Sequence, residues 1–149
     1  MLSEFDVAID IDAPPEAVWD YVTDWGRQGE WIPLTRVRKD GETIIARTGI
    51  GPLGFEDTME VRGWDPPHMC ETIHTGRVVR GIGIFECRAD LTDPGRTRFV
   101  WTERAEIPGG PVAPLLWRVA KPGLVMGFNY ALRRLRDRVE SDTATGSRP

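Results

Sequence analysis

The sequence contains few of the residues that bind zinc or build a disulfide framework. Its 149 residues include two cysteines, Cys70 and Cys87, and two histidines, His68 and His74. They form neither a CxxC pair nor another zinc-ligand spacing, so we expect no bound metal. One disulfide would require the strands of Cys70 and Cys87 to lie in register. The N terminus is acidic where a secretory signal would be basic and then apolar, which instead favours free thiols and a cytoplasmic location.

Long apolar runs and an excess of positive charge are also absent. No segment approaches the roughly 20 apolar residues that cross a bilayer, so we do not expect integral membrane association. The 19 basic and 23 acidic side chains give a formal charge of −4, which provides no general attraction to nucleic acid. With 40% hydrophobic residues, the composition fits one globular domain over residues 1–140. We expect a monomer or homodimer, with a disordered polar tail over residues 141–149.

Hydrophobic patterns predict a strand, two short helices and then a sheet. Apolar and acidic residues alternate over Phe5–Ile11, as in a strand with one buried face. A short helix is expected after Ala13-Pro14-Pro15, capped by Asp12, and a second brief helix or turn carries Trp25 and Trp31. Six further strands with short connections indicate an antiparallel sheet. They cover Arg36–Lys39, Thr43–Thr48, Phe55–Trp64, Met69–Thr75, Gly81–Leu91 and Thr97–Ile107.

A long helix is predicted at the C-terminal end. Apolar residues recur at helical spacing from Ala120 to Val139. Pro122 removes a backbone donor, which predicts a kink or break near Lys121. A strongly curved sheet would wrap around this helix and leave a cavity between them. The expected fold is therefore α+β, with seven antiparallel strands, two short helices after strand 1 and a long terminal helix.

Four stretches of sequence resemble a known superfamily. Residues 9–19, IDIDAPPEAVW, and the WIP run at residues 31–33 resemble the opening of the START-like, or SRPBCC, superfamily. They are most similar to its polyketide cyclase/dehydrase and lipid transport branch, and residues 54–61 and 64–67 are similar to bacterial members. The resemblance covers about residues 3–140. It implies a helix-grip fold whose elongated apolar cavity serves lipids, sterols, quinones, plant hormones or polyketides. Some members are enzymes and many are not.

One glycine motif matches a cofactor fingerprint only by its letters. Residues 49–54, GIGPLG, fit the GxGxxG pattern of dinucleotide-binding proteins. That fingerprint needs a following helix whose free amides face a pyrophosphate, whereas Pro52 lacks an amide and Phe55 begins an alternating strand. We therefore predict a loop between strands, near the cavity mouth in the resembled fold, and no nucleotide cofactor.

Two carboxylates share strand faces with apolar residues. Asp57 lies on one face with Phe55 and Met59, and Glu103 shares a face with Trp101. If these faces line a cavity, each carboxylate would have a raised pKa suited to general acid or base catalysis. Asp57 and Glu103 are therefore the candidate catalytic residues.

The competing interpretation of both carboxylates is structural. Each could pair with an arginine, such as Arg47 or Arg88, or lie at a solvated strand end. For His74, close to the turn at Gly76, a pH switch or a base is the functional alternative, but we expect a passive residue at the solvent edge.

An aromatic and apolar set is expected to contact the ligand, and Asp57, Glu103 and Arg88 are the candidates for the polar groups that set its orientation. The predicted ligand-binding residues are Trp31, Phe55, Met59, Phe85, Arg88, Trp101, Leu124, Phe128 and Tyr130. Core filling competes with this role for Trp31 and Trp101. Exposure or a structural hydrogen bond competes with it for Tyr130, which lies at the edge of the helical apolar stripe.

Three functions remain open at the level of sequence. The leading interpretation is binding of a small hydrophobic or amphipathic ligand, such as a lipid, quinone or polyketide-like ring system, in an internal cavity. The alternative is a cyclase/dehydrase-type enzyme in which Glu103 or Asp57 moves a proton while an arginine or Tyr130 steadies an oxyanion. A third interpretation is an interaction module with a collapsed cavity. None of the three implies a metal or nucleotide cofactor.

Overall fold

One antiparallel sheet forms most of the fold. The structure is a computed structural model that describes residues 1–146, and within them the sheet has seven strands. The strands are β1 Leu2–Ile11, β2 Thr35–Asp40, β3 Thr43–Ile50, β4 Leu53–Asp65, β5 Met69–His74, β6 Gly81–Ala89 and β7 Thr97–Glu106. Their spatial order is β1-β7-β6-β5-β4-β3-β2, so β2 to β7 form a meander and β1 closes onto β7. Every pairing is antiparallel, as the short connections predicted.

The helices flank this sheet in the predicted order. Helix α1 spans Pro15–Val22 and a 3₁₀ turn spans Trp25–Glu30, both between β1 and β2. A second 3₁₀ turn at Gly110–Val112 leads into helix α2, Ala113–Gly146. In the described part of the chain, no helix combines the length and apolar character needed to cross a bilayer.

The start of α1 differs from the prediction. Pro14, not Asp12, is the N-cap residue, and no side chain caps this end. The carbonyl of Pro14 accepts hydrogen bonds from the amides of Ala17 and Val18, at 3.0 and 3.2 Å. Pro15 needs no partner because proline carries no amide hydrogen. Asp12 instead donates its backbone N–H to the Glu140 carboxylate of α2, at 2.9 Å.

The glycine motif forms a tight hairpin where the sequence predicted a loop. Gly49 pairs with Gly54 and Ile50 with Leu53, which leaves only residues 51 and 52 in the turn. Gly51 adopts a φ of +54°, a left-handed conformation that suits glycine. A Cβ on Gly49 would lie 2.4 Å from the Cα of Gly54, so the strands meet too closely for a side chain there. A strand follows the motif, as expected for a false match to the dinucleotide fingerprint.

Helix α2 is longer and more continuous than predicted. It passes through Pro122 with no break, although proline removes one helical hydrogen bond. Residues 141–146 are helical, so this part of the predicted disordered tail is wrong, whereas residues 147–149 lie outside the described residues. The hydroxyls of Thr143 and Thr145 donate to carbonyls one turn earlier, and Asp142 forms an ion pair with Arg27 at 3.0 Å. These contacts extend the helix beyond its apolar stripe.

The core lies between the sheet, α1 and the C-terminal half of α2. Trp31 and Phe99 are completely buried at its centre, and Leu132 and Leu135 of α2 close it from the other side. Next to them, the ring centroids of Trp101 and Phe128 are 4.3 Å apart.

Cys70 and Cys87 are buried in the same core as free thiols. The register pairs Cys70 with Phe85 and Cys87 with Phe99, so the cysteines do not face each other. Burial raises the pKa of Cys70 to about 11 and that of Cys87 to about 12. Both thiols are therefore protonated at neutral pH.

Candidate functional site

A cavity of about 600 Å³ lies between the sheet, the 3₁₀ turn after α1, and α2. This volume is within the range of small-molecule pockets. Most of its wall is apolar. Six of the predicted ligand-binding residues line it, and they are Phe55, Met59, Phe85, Trp101, Leu124 and Phe128.

Three ionisable side chains meet on one wall of this cavity. They are Asp57 on β4, His74 at the end of β5 and Glu103 on β7. The Nδ1 atom of His74 lies 2.7 Å from Oδ2 of Asp57, and its Nε2 atom lies 3.3 Å from Oε2 of Glu103. Only 7% of the His74 side chain is exposed. We call these three residues the polar cluster.

Strand register brings the polar cluster together. Met59 of β4 pairs with His74 of β5. Asp57 lies two residues before Met59, so it projects from the same face of the sheet as His74. Gly83 of β6 pairs with Glu103 of β7, which places Glu103 on the far side of the intervening strand.

Gly83 allows His74 and Glu103 to meet across β6. A Cβ at this position would lie 3.2 Å from Oε1 of Glu103 and 3.5 Å from Nε2 of His74. It would also lie 3.1 Å from the hydroxyl oxygen of Thr72. The missing side chain therefore leaves the space through which the imidazole reaches the second carboxylate.

The carboxylates control the charge of His74. Burial alone would lower the pKa of the imidazole, but the hydrogen bonds to Asp57 and Glu103 and their negative charges outweigh it. Together they raise the pKa of His74 to about 9. At neutral pH the ring is therefore an imidazolium that donates one N–H to each carboxylate. The polar cluster then carries one net negative charge.

The remaining carboxylate oxygens differ from each other. Oε1 of Glu103 accepts a hydrogen bond from the indole Nε1 of Trp101, at 2.7 Å. Oδ1 of Asp57 is buried and has no hydrogen-bond partner among the described residues. Asp57 is itself buried, with 9% of its surface exposed. This oxygen has almost no accessible surface, so protein atoms enclose it and it does not itself face the cavity.

The predicted arginine contacts are wrong. Arg88 lies on the opposite face of β6 from buried Cys87, and its guanidinium contacts Glu86 at 3.2 Å, away from the cavity. Arg47 donates to the carbonyl of Gly51, at 2.6 Å. Neither arginine therefore pairs with a carboxylate of the polar cluster, and Arg88 does not line the cavity.

Trp31 and Tyr130 also lie outside the cavity wall. Trp31 is completely buried, and its ring packs behind the wall against Phe85 and Trp101, so core filling is the correct interpretation. Tyr130 is 47% exposed and lies in an outer groove beside Ala8 and Ile9 of β1. Its position at the edge of the apolar stripe turns it away from the cavity.

His74 is the site residue that the sequence interpretation missed. It was expected at the solvent edge because a turn follows it. The strand parity of β5 contained the missing signal, because Cys70, Thr72 and His74 alternate on one face and all three line the cavity. The role of Gly83 had no such signal, since it depends on which strands lie on either side of β6.

The polar cluster does not converge on one point. Its two carboxylates approach opposite nitrogens of the His74 ring. Over residues 1–146, no group of three His, Cys, Asp or Glu side chains has an arrangement that could hold a metal ion.

Most of the chain matches the sequence profile of one known family. The profile of the family described as polyketide cyclase/dehydrase and lipid transport matches residues 3–140. The chain belongs to this family. The resemblance in residues 9–19 and 31–33 is thereby confirmed, and so is the helix-grip fold of the SRPBCC superfamily. No curated protein matches the chain in sequence.

Solved structures of the same architecture cover nearly the whole chain. A protein from Thermus thermophilus is 18% identical with a TM-score of 0.75, and the match covers 94% of this chain and 99% of that one. A conserved protein from Geobacillus kaustophilus is 17% identical with a TM-score of 0.76, covering 93% and 96%. The Zhui aromatase/cyclase from a Streptomyces species is 18% identical with a TM-score of 0.68, also covering 93% and 96%. At these identities the likeness shows the fold alone.

Proposed function

We propose that this family member binds a small apolar or amphipathic molecule in the cavity between its sheet and α2. The observation that carries the proposal is a 600 Å³ cavity with a largely apolar wall and one polar cluster. Burial of the ligand would contribute roughly 25 cal/mol per Å² of apolar surface. The polar cluster of Asp57, His74 and Glu103 would fix its orientation. Lipids, quinones and polyketide-like ring systems all have this character.

The first test is mass spectrometry of the purified protein under native and then denaturing conditions. A bound molecule would appear as added mass that is released when the protein unfolds. We expect a defined apolar compound, or uptake of added fatty alcohols, quinones or aromatic polyketides. A protein that is empty and takes up none of them would contradict the proposal and favour a collapsed cavity.

A cavity-filling variant makes this test specific. Gly127 lines the cavity, and a Cβ added to it meets no atom within 4 Å, so Gly127→Leu should fold and occupy ligand space. Gly146 has equally open surroundings but does not line the cavity. Gly146→Leu is therefore the matched control. We expect Gly127→Leu to lose the ligand and Gly146→Leu to retain it.

A cyclase/dehydrase-type enzyme is the second candidate function. It is favoured by the polar cluster, in which an imidazolium and two carboxylates face an apolar cavity. Asp57 or Glu103 could take a proton from a ligand carbon, and His74 could return one to a departing hydroxyl, so that water leaves. The pKa of His74, about 9, keeps it protonated for that step at neutral pH.

Catalysis is tested by following the mass of the bound molecule over time. The enzyme hypothesis predicts a product lighter by one water, formed by the wild-type protein and lost in Glu103→Gln. Glu86→Gln is the control, because Glu86 pairs with Arg88 outside the cavity. A ligand that stays unchanged in the wild-type protein would exclude this reaction and leave binding as the function.

A further inference from the structure

The cavity opens at one end of the sheet, between three segments of the chain. Phe55 beside the β3–β4 hairpin, Val78 in the β5–β6 loop and Leu124 of α2 all line the cavity and are also exposed to solvent. Because neighbouring strands run in opposite directions, this hairpin, this loop and the β7–α2 connection lie at the same end. We call residues 47–55, 75–80 and 106–126 the mouth surface.

Large apolar side chains on the mouth surface face solvent. Ile50 and Leu53 of the hairpin are 69% and 80% exposed, and Val119 of α2 is 75% exposed. Five more apolar side chains there are at least half exposed, and they are Val78, Val112, Leu115, Leu116 and Met126. Exposed apolar surface on this scale is typical of a site that a partner or a membrane covers.

The N-terminal half of α2 is apolar on both of its sides. Trp117 and Leu124 line the cavity. Leu115, Val119 and Met126, spaced by four and seven residues, project from the opposite side and are exposed. A helix that is apolar all round is ordinarily buried. The outer side of this half is therefore a surface that a second apolar medium would cover.

Positive charge is concentrated on the same surface. Its basic side chains are Arg47, Arg77, Arg80, Arg118 and Lys121, and its single acidic residue is Glu106. The whole chain has a formal charge of −4, so the mouth surface has the opposite sign to the rest of the molecule.

The cations of the mouth surface are unneutralised. Within residues 1–146, none of the five forms an ion pair with a carboxylate. Arg47 donates only to the carbonyl of Gly51, and Lys121 lies 5.9 Å from the ring centroid of Trp117. Arginines elsewhere, such as Arg98 and Arg104, contact carboxylates. The mouth surface can therefore attract an anionic partner.

An anionic lipid bilayer fits this surface better than a second copy of the chain. A symmetric dimer through the mouth surface would place the five cations of one copy against those of the other. A bilayer instead offers an apolar layer to the exposed side chains and negative head groups to the cations around them.

We propose that the mouth surface docks on an anionic lipid bilayer. Ile50, Leu53 and Val119 enter the boundary between head groups and acyl chains, and the five cations contact the head groups. The cavity then opens toward the membrane, so that an apolar molecule could pass between them without crossing water. Docking itself needs no molecule in the cavity, and the inference therefore goes beyond the proposed function.

The test is flotation of the wild-type protein with two kinds of vesicle. One kind contains phosphatidylcholine alone, and the other contains phosphatidylcholine and phosphatidylglycerol in equal parts. We expect binding to the anionic vesicles to be at least about tenfold tighter, and to weaken as added salt screens the charges. Absence of binding to the anionic vesicles would overturn the proposal, and so would equal binding to both kinds.

Leu53→Asn tests the apolar contact, with Leu91→Asn as its control. Leu91 is fully exposed, but it lies in the β6–β7 connection at the opposite end of the sheet. Both side chains are exposed, so both variants should fold. We expect Leu53→Asn to weaken binding to the anionic vesicles by about fivefold or more, and Leu91→Asn to leave it unchanged. The same affinity in both variants would show that the hairpin does not enter the bilayer.

Arg118→Gln tests the charge contact, with Lys39→Gln as its control. Lys39 is exposed and forms no ion pair within the described residues, and it lies beside the β2–β3 turn at the opposite end. Each cation near an anionic surface contributes about a fivefold gain in binding. We expect that loss in Arg118→Gln only. Equal losses would mean that overall charge, and not the mouth surface, determines binding.

Two further results separate docking from its alternatives. Gly127→Leu, which fills the cavity, should still bind anionic vesicles, and if it does not, uptake of lipid into the cavity explains the binding and docking is wrong. Sedimentation should show that the free protein is a monomer. A dimer that Leu53→Asn dissociates would assign the mouth surface to a second copy. A cavity that proves empty would end the proposed function and leave the vesicle result standing.

Discussion

At the scale of single residues, His74 links two carboxylates that come from strands on either side of it. The imidazole occupies both of its nitrogens with Asp57 and Glu103 inside an apolar wall. The alternation of side chains along each strand predicted that both carboxylates lie on the faces that line the cavity. It did not predict their partner, since an arginine or solvent satisfies the same pattern and only the register of β4, β5 and β7 brings His74 between them.

The charge of His74 should make stability depend on pH. Its pKa is about 9 in the folded protein against 6.5 for an ordinary histidine, so folding strengthens proton binding. The resulting stabilisation is complete below about pH 6.5 and is lost as pH rises through about 9. We expect the free energy of unfolding to fall by on the order of 3 kcal/mol between about pH 6 and pH 10, relative to His74→Gln. Urea titrations of the wild-type protein and of His74→Gln at each pH measure this free energy.

The His74→Gln variant is needed as a reference because other groups also make stability depend on pH. Cys70 and Cys87 have raised pKa values in the folded protein, so they also reduce stability in alkaline solution. Both thiols are present in His74→Gln, and their effect cancels in the difference. A difference in stability that does not change with pH would show that folding leaves proton binding by His74 unchanged.

Gly83→Ala should weaken the contact between His74 and Glu103. The added Cβ would lie 3.2 Å from Glu103 Oε1, so the carboxylate must move by a few tenths of an ångström. We expect the pKa of His74 to fall, because it loses part of one negative partner. NMR titration of the two histidine rings measures this directly. Gly123→Ala, which adds a methyl group where no atom lies within 4 Å, should leave the value unchanged.

At the scale of elements, the two halves of α2 have different tasks. The C-terminal half supplies buried core residues, including Leu132, Leu135 and Val139. The N-terminal half supplies Leu124 to the cavity wall and leaves Leu116 exposed. Helical periodicity predicted one apolar stripe from Ala120 to Val139, and Leu124 and Phe128 on it were expected to contact the ligand. Periodicity alone does not distinguish the α2 residues that pack in the core from those that line the cavity. Apolar spacing shows which side of the helix faces the sheet, but it does not show whether side chains or an open cavity lie there.

This division predicts an asymmetric response to truncation of leucines. Leu135 is completely buried, so Leu135→Ala should reduce the free energy of unfolding by about 2–5 kcal/mol. Leu116 is 53% exposed, so Leu116→Ala should change it by less than about 0.5 kcal/mol. Urea denaturation of both variants measures the difference. Equal losses would contradict the assignment of stability to the C-terminal half.

At the scale of the whole molecule, the sheet and α2 enclose the space in which a ligand would lie. A molecule that binds only the folded chain shifts its unfolding equilibrium. At about 100 times its dissociation constant, a ligand should stabilise the wild-type protein by about 2.7 kcal/mol. Thermal unfolding with and without decanol measures this effect. Gly127→Leu should show no such gain, and an equal gain in that variant would place the binding site outside the cavity.

The amino-acid sequence by itself determined the architecture of this protein. Period-two alternation and short turns specified the antiparallel strands, helical spacing specified α2, and residues 9–19 carried the family resemblance. These features are local, because each depends on residues within one element or its adjoining turn. The same local reasoning placed six of the ligand-contact candidates on the cavity wall.

Only the tertiary structure decided which side chains meet. Register between strands brought His74 to Asp57, and the open position at Gly83 let it reach Glu103. The outward placement of Arg88 and Tyr130, in contrast, follows from local periodicity, since Arg88 alternates with buried Cys87 and Tyr130 lies at the edge of the apolar stripe. Contacts between residues far apart in sequence depend on how strands and helices lie against one another, and that arrangement is a property of the complete packing.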